Sequence, residues 1–366
     1  MPLGLGASLS RAGIVTPGII TDGLAMKHMY PAGAVQPLSD GAVDINADAA
    51  NNEYIDVGTI AITTNDVSMG CWVYVTEFGA NADNACYIEN RDASGTNVGI
   101  SLRNDGTNSK FEALLDYGGS VFQATTGTVN THQWYHILTT IDRDGNMVLY
   151  VNGVANATTD ISTQSSVNLT HSATAKIGQK IGGGEIMGYV CNAGYWDRVL
   201  TQAEIKSIMF KQYADLTTSE KTSLVSFWNL DNNLTTQGSS SWVADEADTT
   251  FGSNVTPTWT SSNGAVIDGQ TITLGSSGVV SASATISPVG VYKVNVTVTG
   301  YTGSGTIEMP WDGGGNSNMR VSANGTYEFY EASGDTSWAV YAPDGVGGTI
   351  TINSITKANG NIGELK

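Results

Sequence analysis

The sequence predicts an all-β protein: two antiparallel β-sandwiches, the second smaller than the first, behind an extended N-terminal arm. Three observations carry this. Charged residues are 14% of the 366, well under the roughly 25% of ordinary soluble domains. Their places go to Asn, Ser, Thr and 44 Gly, residues that suit tight turns and short strands. Residues 134–153 alternate on both sides of an Asp144-Gly145 turn, and residues 271–355 hold β-rich runs at the spacing of a small sandwich.

Taken in order, residues 1–45 are rich in Gly, Pro, Ala and Ser, with isolated apolar residues at Leu3, Leu5, Leu9, Ile14, Val15, Ile19 and Ile20. Such a segment suits an arm that orders against a neighbouring subunit, a loose terminus being the alternative.

Residues 46–262 read as the first sandwich. Strands are expected at 68–76, which carries Trp72, and at 98–103, 110–115 and 121–126. The clearest hairpin follows. Residues 134–142 place Tyr135, Ile137, Thr139 and Ile141 on one face, Arg143-Asp-Gly-Asn146 turns the chain, and 147–151 returns. Further strands fall at 176–178 and 187–196. Thr201 with Glu204 forms a capping box for one helix, with Leu200 stapled to Ile205, ending near Tyr213. Thr217 with Glu220 repeats the cap more weakly before an apolar strand at 224–230. Residues 232–264 read as loops and a domain boundary.

Residues 263–358 read as the second sandwich, with strands at 271–274, 278–286, 290–298, 305–309, 325–331, 337–341 and 348–355. Residues 359–366 read as a loose tail.

The balance of 16 basic against 34 acidic residues gives a net charge of −18. Nucleic-acid binding needs clustered Lys and Arg, so neither nucleic acid nor an anionic membrane surface is an expected partner. No run approaches the roughly 20 apolar residues that span a bilayer. The start, Met1-Pro-Leu-Gly-Leu-Gly, lacks the basic and apolar regions of a secretory leader. Cys71, Cys86 and Cys191 match no metal-ligand spacing, and buried thiols are expected, one disulfide staying open. No cofactor is expected, although Asp and Asn oxygens on sandwich rims are compatible with Ca²⁺.

The stretch Trp134-Tyr-His-Ile-Leu-Thr-Thr-Ile-Asp142 followed by Gly145-Asn-Met-Val-Leu-Tyr-Val-Asn-Gly153 resembles the concanavalin A-like, laminin-G-like jelly rolls. Ile177-Gly178 and the run from Gly188 through Tyr195-Trp-Asp-Arg-Val-Leu-Thr-Gln-Ala-Glu-Ile205 are similar to that family's closing strand and short helix. One departure stands out. Leu224-Val-Ser-Phe-Trp-Asn-Leu-Asp231 looks like the family's opening strand, yet follows the helix. It either completes the first sandwich by a permuted route or begins a degenerate second copy. Residues 290–298 and 348–355 resemble strands of a carbohydrate-binding-module jelly roll. The Gly-rich start through Ala50 resembles the opening of tailed-bacteriophage virion structural proteins.

That last resemblance implies a non-catalytic virion protein (capsid decoration, head fibre or tail fibre). Its arm, through Leu3, Leu5, Leu9, Ile14, Ile19 and Ile20, would dock onto other virion proteins. A homo-oligomer, a virion location and contact with host-surface glycans follow as expectations. The rivals are a free lectin-like carbohydrate-binding protein and a degenerate glycoside hydrolase.

Catalysis by a hydrolase of this fold needs paired carboxylates on one strand face. The Glu-x-Asp-x-x-Glu pattern is missing, and Asp245, Glu246 and Asp248 lie in a Ser/Thr-rich stretch that reads as a solvated loop. His136 reads as structural, and His28, His132 and His171 stand apart from any nucleophile pattern. The best ligand candidates are aromatic. Trp311 and Asp312 sit in Pro310-Trp-Asp-Gly-Gly-Gly, and Trp338 and Tyr341 on or beside a strand. Exposed rings there would stack on sugars, whereas burial of Trp338 would make it core.

Overall fold

The computed structural model describes residues 35–45, 53–78, 84–92, 97–105, 109–181, 183–231, 235–237, 240–274, 280–285, 290–309, 319–333, 337–342 and 345–365. Residues 36–366 form one compact unit. The fold is all-β, built from antiparallel sheets that pair as sandwiches.

One sheet of the first sandwich has seven strands, running Val43–Ile45, Gly188–Trp196, Val67–Val75, Trp134–Ile141, Asn146–Val151 and Val154–Asp160, with Leu224–Trp228 also paired to Gly188–Trp196. The 224–230 run therefore completes the first sandwich. The expected hairpin is present in register, Ile137 opposite Val151 and Ile141 opposite Met147. Ile137 and Ile141 point into the core with Cys71, Val73, Phe111 and Leu149. All three cysteines are buried free thiols.

The facing sheet runs Thr235–Gln237, Ser240–Val243, Gly363–Leu365, Ile55–Asp56, Lys176–Ile177, Cys86–Asp92, Val98–Asp105, Lys110–Tyr117 and Ser120–Thr125. One expectation is corrected here, and one strand is added. The 359–366 tail is not loose, because Gly363–Leu365 inserts between Ser240–Val243 and Ile55–Asp56. Cys86–Asp92 is a strand that its charged residues conceal: Arg91 reaches Glu89 and Asp116 at 3.5 and 3.0 Å, so the charges are neutralised within the sheet.

The second sandwich pairs a sheet of Val266–Asp268, Thr271–Thr273, Gly347–Ala358, Gly290–Thr302 and Gly325–Ser333 with one of Trp259–Ser261, Val280–Thr285, Ser337–Tyr341, Ile307–Glu308 and Arg320–Val321. Phe251–Asn254 joins the first of these along Gly347–Ala358. The second sandwich thus begins near residue 251, earlier than the expected 263. Its core includes Tyr292, Val294, Ile350, Ile355, Trp259 and Trp338.

Helix α1 spans Gln202–Ile208 and carries the full capping box, Thr201 accepting from the Glu204 amide while Glu204 accepts from Thr201. It ends at Ile208 rather than near Tyr213. Ile205 and Ile208 bury its stripe against Leu138, Trp196, Leu200 and Phe227.

Arg143, read as a turn residue, is buried, and its guanidinium donates to the carbonyls of Gln164 and Val167 at 2.6 Å each. It thereby pins the 162–167 turn to the hairpin. Arg143→Ala is expected to lower stability by about 2 kcal/mol, because the carbonyls lose charge-assisted donors. Urea denaturation measures it, and an unchanged midpoint would show that the pin carries no stability.

Candidate functional site

The outer face of the seven-stranded sheet divides in two. At one end Trp72 is fully buried, its indole N–H donating to the Met209 carbonyl, with His136 edge-on at 5.5 Å. The segment that follows α1 covers this end. At the other end the cover stops, and the same parity of residues reaches solvent.

There, three rings stand side by side on adjacent strands. Tyr74 lies directly opposite Tyr189 on one side and Trp134 on the other. Ring centroids are 5.8 Å apart for Tyr74–Tyr189 and 5.5 Å for Tyr74–Trp134, each pair inclined by 61°. His132 meets Tyr74 edge-on at 6.5 Å. All three large rings are half-buried, so packing fixes them from below while part of each stays exposed. Gly188 lets the strand backbones come close here. At φ +144° its position for a Cβ lies 1.8 Å from the Tyr74 carbonyl oxygen, so no side chain fits at this point.

Residues 36–42 wall the row. Together with Tyr74, Thr76, His132, Trp134 and Tyr189, the segment bounds an open groove of about 1240 Å³. Asn192 holds the wall. It sits at a bulge in Gly188–Trp196 with φ +49°, and its side-chain amide donates to the Leu38 carbonyl at 3.0 Å. Ser39 donates to the Gly41 carbonyl at 2.6 Å. The groove therefore offers apolar ring faces with Gln36, Ser39, Asp40 and Thr76 as polar neighbours, the composition of a site for an amphipathic ring such as a sugar.

A second, smaller groove of about 460 Å³ lies where the two sandwiches meet, lined by Trp242, Asp245, Phe251, Tyr330 and Ile362 among others. Its apolar residues pack on one another as a cluster, which makes it part of the seam.

The expected site residues fare differently. Trp311 and Asp312 lie outside the described residues, as do Leu3, Leu5, Leu9, Ile14, Ile19 and Ile20. Trp338 is corrected: it is fully buried, 4.9 Å from Trp259, and its indole N–H donates to the Met309 carbonyl at 3.0 Å. No ring face is left for a ligand. Tyr341 is half-buried at a strand end opposite Glu308 and lines neither groove. Asp245 is corrected too. It is fully buried, not a solvated loop residue, and accepts from the amides of Phe227, Ala247 and Asn361.

Carboxylates that share a sheet face do exist, on the outer side of the other sheet. Glu89 is buried, and burial holds its carboxyl above the usual range although the Ile181 amide and Arg91 bond it. Glu112 is engaged by Arg103, Gln123 and Thr125 at 2.7, 3.1 and 3.0 Å, and Asp116 by Arg91. Their side chains are at most 6% exposed. A substrate would have to displace these partners to reach them. Among the described residues no group of three or more His, Cys, Asp or Glu is arranged for a metal ion, and no helix is long and apolar enough to cross a membrane.

The first sandwich is a jelly roll with an aromatic groove on one sheet face. Residues 49–206 match the family model described as the concanavalin A-like lectin/glucanases superfamily, and the first sandwich has that fold. Among solved structures, a protein from Bacteroides ovatus regarded as carbohydrate-binding is 20% identical over 57% of each chain, with a TM-score of 0.43. Domain 4 of an extracellular arabinanase from Geobacillus stearothermophilus, solved with arabinotriose, is 17% identical over 41% of this chain and 68% of that one, with a TM-score of 0.34. A Trypanosoma rangeli sialidase is 18% identical over 40% of this chain and 23% of its own, with a TM-score of 0.32. These are partial likenesses of fold, and the chain spans 57% of the first of these relatives. Among curated proteins none matches the sequence.

Proposed function

We propose that the chain is a non-catalytic protein that binds glycans through the Tyr189–Tyr74–Trp134 row and displays its sandwiches from a larger particle. The row is the observation that carries the reading: three half-exposed rings, fixed in register on adjacent strands, beside a polar wall. Half-exposed aromatic faces held rigid from behind lose little freedom on binding, which is what weak sugar stacking requires. The non-catalytic part is supported by Glu89, Glu112 and Asp116, carboxylates of one sheet face that are closed off by their own partners.

The particle is, in our reading, a tailed-bacteriophage virion, with the protein serving as capsid decoration, head fibre or tail fibre. Support comes from the Gly-rich start and its resemblance to such proteins. Residues 1–45 would dock on other virion proteins, and copies of the chain would add weak contacts to host glycans into avidity.

Trp134→Ala is the test. On an array of bacterial surface glycans its affinity for the preferred glycan should fall by about tenfold or more, as loss of a large aromatic contact does, with the circular dichroism unchanged. Equal binding by the variant would overturn the reading. Incubation of the wild type with that glycan should release no sugar.

A further inference from the structure

The charge, spacing and tilt of the row restrict which glycans fit, an inference that rests on the glycan-binding reading above. The rings succeed one another across the strands at 5.8 and 5.5 Å. That step is close to the repeat of one sugar residue along a glycan chain, so each ring can serve one residue of the same chain. Binding then grows with chain length up to three residues.

The tilt excludes one class of ligand. Each ring is turned 61° from the next, so no single plane lies against all three. The flat face of a crystalline polysaccharide could touch one ring at a time. A soluble chain, whose residues rotate about their glycosidic bonds, can follow the turn.

Charge excludes another. Among the described residues no Lys or Arg lines the groove, whereas Asp40 does, on its exposed wall. Asp44 lies opposite Tyr189 in register, and Glu77 follows Thr76, both exposed. The chain as a whole carries −18. A sulfated or uronic glycan would meet the like charge of these carboxylates. Neutral hydroxyls meet Asp40, Ser39 and Gln36, oxygen- and nitrogen-bearing groups suited to them.

We infer that the groove takes a neutral, soluble oligosaccharide laid across the three strands, and rejects acidic glycans and crystalline polysaccharide faces.

The test is calorimetry with a panel of neutral hexasaccharides of different linkage, sulfated and uronic hexasaccharides, and a pull-down on microcrystalline cellulose. Wild type, Trp134→Ala and Asp40→Lys are compared. The strongest binder should be neutral, should weaken about tenfold or more in Trp134→Ala, and should lose affinity stepwise when shortened from three residues to one. Asp40→Lys should raise the affinity for the acidic members. An acidic hexasaccharide that binds wild type as tightly as the best neutral one, in a Trp134-dependent way, overturns this inference and leaves the glycan-binding reading standing. Trp134-dependent retention on cellulose does the same. If no panel member binds in a Trp134-dependent way, the inference and the reading fall together.

Discussion

Replacing Asp245 by Ala is expected to remove about 3 kcal/mol or more of stability and to release the C-terminal strand. The carboxylate is fully buried and accepts from three backbone amides: Phe227 and Ala247 at 3.1 Å each through Oδ1, and Asn361 at 2.7 Å through Oδ2. Deleting it orphans one buried and two partly buried N–H groups, a buried one costing roughly 1–3 kcal/mol when left unpaired. The partners also lie far apart in sequence. Phe227 belongs to the last strand of the seven-stranded sheet, and Asn361 leads into Gly363–Leu365. Asn361 in turn accepts from the Trp228 indole at 2.8 Å and donates to Ser226 at 2.6 Å. Asp245 is thus the knot that ties the chain's end into the first sandwich. Asp245→Asn should lose less, because it keeps one acceptor oxygen. Urea denaturation gives the loss, and limited proteolysis after residue 358 reports release of the strand. An Ala variant with wild-type stability would mean that the seam holds without the carboxylate.

This knot shows what the sequence could not reveal. Asp245 stands in a Ser/Thr-rich stretch, and a donor 116 residues away leaves no local trace. The same holds for Gly363–Leu365, which pairs with Ile55–Asp56, and for the short strands between residues 235 and 261. Polar strands that complete a distant sheet have neither alternation nor a turn signal.

The hairpin at Trp134 was legible for the opposite reason: its pairing is local, and an Asp-Gly turn sets the register. The row beside it was only half legible. Alternation places Trp134 on the face away from Ile137, but whether that face is covered depends on the segment after α1, about 70 residues later. That segment covers Trp72 and His136 and leaves Tyr74 and Trp134 open. Trp338 misled in the reverse direction, since a strand-borne Trp reads alike whether its face is core or surface. The packing partner Trp259 lay on the wrong side of the expected domain boundary.

The covered end of that face gives the other large expected effect. His136 is buried against Trp72, and burial pulls its imidazole down to about 3 from the usual 6.5. The unfolded chain keeps the ordinary value. Between these two values the unfolded state binds a proton that the folded state refuses, so stability falls as pH drops from 6.5 toward 3. From pH 7 to pH 4 the loss is on the order of 3 kcal/mol. Other groups titrate in the same window. Burial pushes the Glu220 carboxyl up, but bonds from Lys211, Ser207 and Thr217 outweigh it and bring it to about 2, so its stabilisation is also lost in acid, from 4.5 downward. Only a variant separates the two. His136→Phe keeps a ring against Trp72 and cannot take the proton. Its unfolding free energy, from urea denaturation, should fall less between pH 7 and pH 4 than that of the wild type, by about the amount above. Equal acid slopes would show that His136 already accepts its proton in the folded chain, through a local opening of the segment that covers Trp72.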